Sequence, residues 1–126
     1  MSGERGPVEN SAATQKRNKA RYAANIAVEM FTQGLNYFRA ERTANISLGG
    51  LFVCTEYDGK MNEKVHIRII LSDRDSYFDV KTRIAWTCDG SSSHPKGLGL
   101  EFIEVTDIQK MVIEKFLKDY VNIAQI

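Results

Sequence analysis

The chain has 126 residues, 43% of them hydrophobic and 26% charged, a balance that fits one folded domain with a modest core rather than a disordered chain. Its net charge of +1 argues against a nucleic-acid coat protein and against a polybasic membrane binder. No apolar run approaches the ~20 residues of a membrane span. Met1 to Gln15 lacks the apolar centre of a secretory signal, and two cysteines, Cys54 and Cys88, are too few for a disulfide scaffold. A cytoplasmic protein with reduced thiols is expected.

Charge is uneven along the chain. Residues 1–21 carry a balance of +3 through Arg5, Lys16, Arg17, Lys19 and Arg21 against Glu4 and Glu9, and the remaining 105 carry −2. Met1 to Thr14 is rich in small polar residues and has almost nothing to bury, so residues 1–14 read as a flexible arm. The period then becomes two. Ile26, Val28 and Met30 form one face of a strand, Gln33 to Asn36 a hairpin turn, and Tyr37 to Asn45 the return. Ile46 to Gly50 interrupts, Leu51 to Thr55 is a short apolar strand, and Asp58-Gly59 signals a turn. Val65 to Leu71 alternates, as does Tyr77 to Cys88 with Val80, Thr82, Ile84 and Trp86 on one face. Gly97 to Val105 is the last strand, with Leu98, Leu100 and Phe102 as its apolar set.

From Thr106 the pattern is helical. Thr106-Asp107-Ile108-Gln109 matches a capping box, followed by Ile108, Met111, Val112, Phe116, Tyr120 and Val121 at three- and four-residue spacing. Short antiparallel strands with one helix predict a small mainly β barrel, since closure removes exposed edges. The expected limits are about 22–105 for the barrel and about 107–123 for the helix.

Catalytic constellations are absent from this pattern. His66 and His94 have no second ligand at zinc spacing, and no carboxylates pair inside an apolar pocket. No enzyme activity, metal or cofactor is expected. Two other clusters carry chemistry. Arg17 and Arg21, four apart, offer two guanidiniums. In Asn45-Ile46-Ser47-Leu48-Gly49-Gly50, strand alternation puts Asn45 and Ser47 on one face beside two glycines.

In this order, with 23 residues between Arg21 and Asn45, the two clusters resemble the PilZ domains, bacterial receptors for cyclic di-GMP. The family pattern is R-x-x-x-R followed by Asp/Asn-x-Ser-x-x-Gly, and Arg17, Arg21, Asn45, Ser47 and Gly50 match it without departure. Arg83 to Trp86 and Gly97 to Phe102 resemble its later strands, so that 15–126 reads as the domain. The resemblance implies a six-stranded antiparallel barrel with a C-terminal helix, binding the nucleotide on its outer surface. An Arg fork matches the O6 and N7 acceptors of guanine and pairs with phosphate. Asn45 and Ser47 are expected to hydrogen-bond a guanine edge from the barrel exterior, and Gly50 to keep the surface open. Lys16, Gly49 and Trp86 are further candidates. A basic residue at 16 accompanies an intercalated nucleotide dimer in relatives, so one or two molecules per chain are expected. Trp86 is a stacking candidate, although alternation favours the core for it.

The expected role is a motility or biofilm effector that acts on a downstream protein. Met1 to Arg21 cannot bury enough to hold itself in place, so residues 16–21 are expected to order over the barrel only when the anionic ligand binds. A PilZ-like adaptor without nucleotide, as in pilus assembly, is the rival. A barrel binding single-stranded nucleic acid is disfavoured by the acidic body.

Overall fold

The computed structural model describes residues 21–71, 75–91 and 93–124, with 120–124 described by main chain alone. Seven strands and one helix follow in order: β1 Tyr22–Ala23, β2 Ala27–Phe31, β3 Arg39–Ile46, β4 Gly50–Cys54, β5 Lys64–Ile70, β6 Tyr77–Cys88, β7 Gly97–Ile103 and α1 Asp107–Ala124. The spatial order is β1-β3-β2-β5-β6-β7-β4, all neighbours are antiparallel, and β3 also pairs with β4. That last pairing closes β2 to β7 into a six-stranded barrel, and β1 lies as a short extra strand beside the end of β3.

The period-two faces are those expected from the residues, except at Trp86. Val28, Met30, Val65, Ile67, Ile69, Val80, Ile84, Leu98 and Leu100 fill the barrel. Buried Thr82 satisfies its hydroxyl by donating to Val65 O at 2.8 Å. The tight turn before β5 falls at Lys60–Glu63, where Glu63 N donates to Lys60 O and Asn62 has φ of 70°. Asp58-Gly59 lies just ahead of it, with Gly59 passing over Ile84 so closely that a Cβ would stand 2.3 Å from its Cδ1.

The capping box forms as read. Thr106 N donates to Gln109 Oε1 at 2.9 Å, and Gln109 N donates to Thr106 Oγ1 at 3.1 Å. Gln109 Nε2 also donates to Asp79 O, tying the first turn of α1 to β6. The buried face of α1 differs from expectation. Ile113 and Leu117 pack into the core with Phe116, whose ring meets Phe78 edge-on at 5.9 Å. Ile108 is 74% and Met111 67% exposed, and Val112 is also exposed. The helix carries apolar residues on two sides, and the barrel takes the side that reaches Phe78. Tyr120 and Val121 lie outside the side chains described. No described helix is long and apolar enough to cross a membrane.

Candidate ligand-binding surface

The chain enters the barrel with a kink that builds the site. Between β1 and β2, the Thr43 hydroxyl donates to Ala24 O at 2.6 Å and accepts Ile26 N at 3.0 Å. This buried clamp holds β1 against β3, pairing Ala23 with Asn45 and Tyr22 with Ile46. Arg21 therefore stands over β3, and its Nη1 donates to Asn45 Oδ1 at 2.6 Å. Arg17 and Lys16 precede the described residues, as do the arm 1–14 and all but the last residue of the segment 16–21.

Asn45 reaches the outer wall through a bulge. The register shifts between Thr43, opposite Val53, and Asn45, opposite Phe52, leaving Ala44 as the extra residue. Thr43 points inward and Asn45 outward, although they are two apart. A second bulge does the same on β6. Ile84 pairs with Leu100 and Trp86 with Gly99, with Ala85 extra. Trp86 therefore leaves the face of Val80, Thr82 and Ile84 and is 43% exposed, which corrects the expectation of a core tryptophan. The pairings Asn45–Phe52, Phe52–Gly99 and Gly99–Trp86 run across four strands as one outward row. Within it the Trp86 ring stacks on Phe52, with centroids 5.0 Å apart and planes at 30°.

The polar turn after β3 is built differently from expectation. Ser47 is only 2% exposed, not on the exterior. Its hydroxyl accepts Gly49 N at 3.1 Å and donates to Gly50 O at 3.3 Å, while Ser47 N donates to Gly50 O at 2.8 Å. Strand β3 ends at Ile46, so alternation no longer governs residue 47, and the hydroxyl turns inward to close the loop. Gly50 is also buried. A Cβ on it would stand 2.0 Å from Leu100 O, so the glycine lets β4 meet β7 main chain to main chain. Gly49 O accepts Phe102 N, fixing the turn to β7. Ser47, Gly49 and Gly50 thus form the frame, and Arg21, Asn45 and Trp86 face out from it. Phe52, Gly97 and Gly99 complete the surface and were missed by the motif reading. The signal for the two glycines was the alternation Gly97-Leu98-Gly99-Leu100, which leaves the first part of the outer face of β7 bare.

Cys54, His66 and Asp79 lie outside this surface. Burial, with the charge of Glu41 behind it, pushes the Cys54 thiol up, away from the reactive thiolate. The Nε2 atom of His66 is buried and stands 3.4 Å from Asp79 Oδ2 without hydrogen-bond geometry. Burial resists the charge on Asp79, but Arg68 outweighs it with a 3.0 Å hydrogen bond and its charge, and holds the carboxyl below its ordinary range. The Arg68 guanidinium lies over the Phe38 and Tyr77 rings at 4.8 and 4.2 Å. Among the described residues, no group of three or more His, Cys, Asp or Glu could hold a metal ion.

The molecule is a closed antiparallel barrel with a helix packed against its core and a built surface on its outer wall. The PilZ domain family model matches residues 15–119, and the chain belongs to the PilZ domain family. Several solved structures share the fold, among them the following three. The Bacillus subtilis inhibitor of motility (MotI/DgrA) has a TM-score of 0.67 at 17% identity, over 86% of this chain and 52% of that one. This chain therefore spans about half of that protein's length. The PilZ domain of YcgR from Escherichia coli, solved with c-di-GMP, has a TM-score of 0.63 at 15% identity, over 88% and 98%. The PilZ domain of CeSA from a cellulose-synthesizing bacterium has a TM-score of 0.57 at 22% identity, over 78% and 95%. No curated protein matches the chain. PilZ domains are regulatory binding domains rather than enzymes.

Proposed function

We propose that this chain is a receptor for cyclic di-GMP that signals by changing its contacts with a downstream protein. The observation that carries the reading is the 2.6 Å hydrogen bond from Arg21 to Asn45, which unites two motifs 24 positions apart on one exposed surface. The likeness to a YcgR domain solved with c-di-GMP supports the same ligand. A guanidinium can fork onto guanine O6 and N7 or pair with a phosphodiester, and the Asn45 amide can meet the remaining base edge. Arg17 supplies the second guanidinium and Lys16 a further charge. Trp86 offers an aromatic face to a purine, and Ser47, Gly49 and Gly50 hold the turn that shapes the surface. The likeness to an inhibitor of motility supports an output in motility.

Calorimetric titration with cyclic di-GMP tests the reading. Saturable binding of one or two nucleotides per chain is expected, lost when Arg17 and Arg21 are both replaced by Ala. A folded protein that takes up no cyclic di-GMP would instead be a PilZ adaptor without nucleotide. Preference for a single-stranded oligonucleotide in competition would overturn the ligand class.

A further inference from the structure

Strand β7 carries glycine at both of its first outward positions. Leu98 and Leu100 are buried in the core, so Gly97 and Gly99 face out. Bare over these two positions, the strand forms a short trough one strand wide, and each neighbouring strand lays one ring into it. From β4, Phe52 lies over Gly97, where a Cβ would stand 2.8 Å from ring atoms Cε1 and Cζ. From β6, Trp86 lies over Gly99, where a Cβ would stand 2.0 Å from Nε1 and 2.2 Å from Cε2. Phe52 is 2% exposed although it sits on the outer wall, because the indole covers it.

The glycines differ in what they serve. Gly50 and Gly97 would drive a Cβ into main-chain carbonyls, Leu100 O at 2.0 Å and Val53 O at 2.1 Å, so the barrel itself demands them. At Gly99 the three nearest atoms all belong to the indole, and its φ is not in the left-handed region. The nearest obstacle to a side chain at 99 is therefore the indole of Trp86 and not the main chain.

We propose that Gly99 is a positioning residue of the nucleotide surface. It keeps the indole flat on Phe52, with its open face presented to a purine in the same row as Asn45. A side chain at 99 lifts the indole off the wall and removes the shelf. This rests on the cyclic di-GMP reading above.

The chain has a single tryptophan, so its emission reports the shelf directly. In ligand-free Gly99→Ala, emission is expected to move to the red as the indole enters water. Affinity for cyclic di-GMP is expected to fall about tenfold, the scale of one base–aromatic stack, to the level of Trp86→Ala. In a Trp86→Ala background, Gly99→Ala is expected to cost nothing further, because its effect passes through the indole. Unchanged emission, unchanged affinity, or a full penalty without the indole each overturn the positioning role. Should Gly99→Ala fail to fold, Phe52→Leu removes the ring beneath Trp86 without adding a Cβ. Shifted emission with lower affinity then supports the proposal, and anything else overturns it. If wild-type protein binds no cyclic di-GMP, the receptor reading falls and the nucleotide role of Gly99 with it. The emission of Gly99→Ala still reports whether the glycine holds the indole.

Discussion

Ser47→Ala separates a residue that frames the site from one that touches the ligand. The hydroxyl makes two hydrogen bonds within one turn, to Gly49 N and Gly50 O. Deleting it leaves the Gly49 N–H without its partner. A fully buried orphan costs about 1–3 kcal/mol. Gly49 is half-buried, so water recovers part of that, and about 1–1.5 kcal/mol is expected. For a domain of this size that is a fall in melting temperature of roughly 3–7 °C. Affinity for cyclic di-GMP, measured by calorimetry well below the melting range, is expected to fall only as far as the turn loosens, about threefold or less. Asn45→Ala is the contrast. Its side chain meets Arg21 on the exposed surface, so stability is expected to stay within about 0.5 kcal/mol while affinity drops at least tenfold. A Ser47→Ala protein that melts like wild type yet binds tenfold more weakly would show that the hydroxyl reaches the ligand and that the framing argument is wrong.

Arg21→Ala and Arg17→Ala are each expected to weaken binding by roughly 1.5–3 kcal/mol by calorimetry without unfolding the barrel; full affinity in either would remove that residue from the site. Asp79→Asn tests the outer ion cluster. Because Arg68 depresses the Asp79 carboxyl, its stabilisation is complete above the unfolded value of about 4 and is lost as pH falls through the lower folded value. Thermal melts are therefore expected to show wild type above Asp79→Asn by up to about 1 kcal/mol at pH 7, with the gap closing toward pH 3; a gap that persists there refutes the charge argument. Thr106→Ala removes the cap of α1 and is expected to cost about 1 kcal/mol in denaturant unfolding, with no change in nucleotide affinity.

Much of the barrel was legible because alternation is a strong signal wherever one face of a strand is buried. Ile26, Val28 and Met30, or Val65, Ile67 and Ile69, could pack only one way. The helix was legible in its cap and length but not in its facing. Ile108, Met111 and Val112 give as good an apolar stripe as Ile113, Phe116 and Leu117. Periodicity cannot choose between two stripes, whereas the barrel can, through Phe78. Pairing of Arg21 with Asn45 was legible only as a motif. The physical cause is the Thr43 clamp that lays β1 on β3, and no local pattern announces a hydroxyl that bonds across 19 positions.

Strict alternation breaks at two places, and both border the candidate surface. Asn45 and Trp86 stand at the two ends of one row, and each is turned outward by a single extra alanine, Ala44 or Ala85. Without the bulges, Asn45 would share the inward face of Thr43, and Trp86 that of Ile84. Between them the row is kept low by Gly99 and filled by Phe52. A strict barrel buries one residue in two and offers the other half to water as a rough wall. Two bulges and a bare strand convert part of that wall into a flat aromatic surface with an amide and a guanidinium at one end. The exceptions cost ladder hydrogen bonds and outer side chains, which stability alone would favour keeping. The two bulged strands and Gly99 fall, with Phe52, in a single row across four strands, and packing alone does not require that placement.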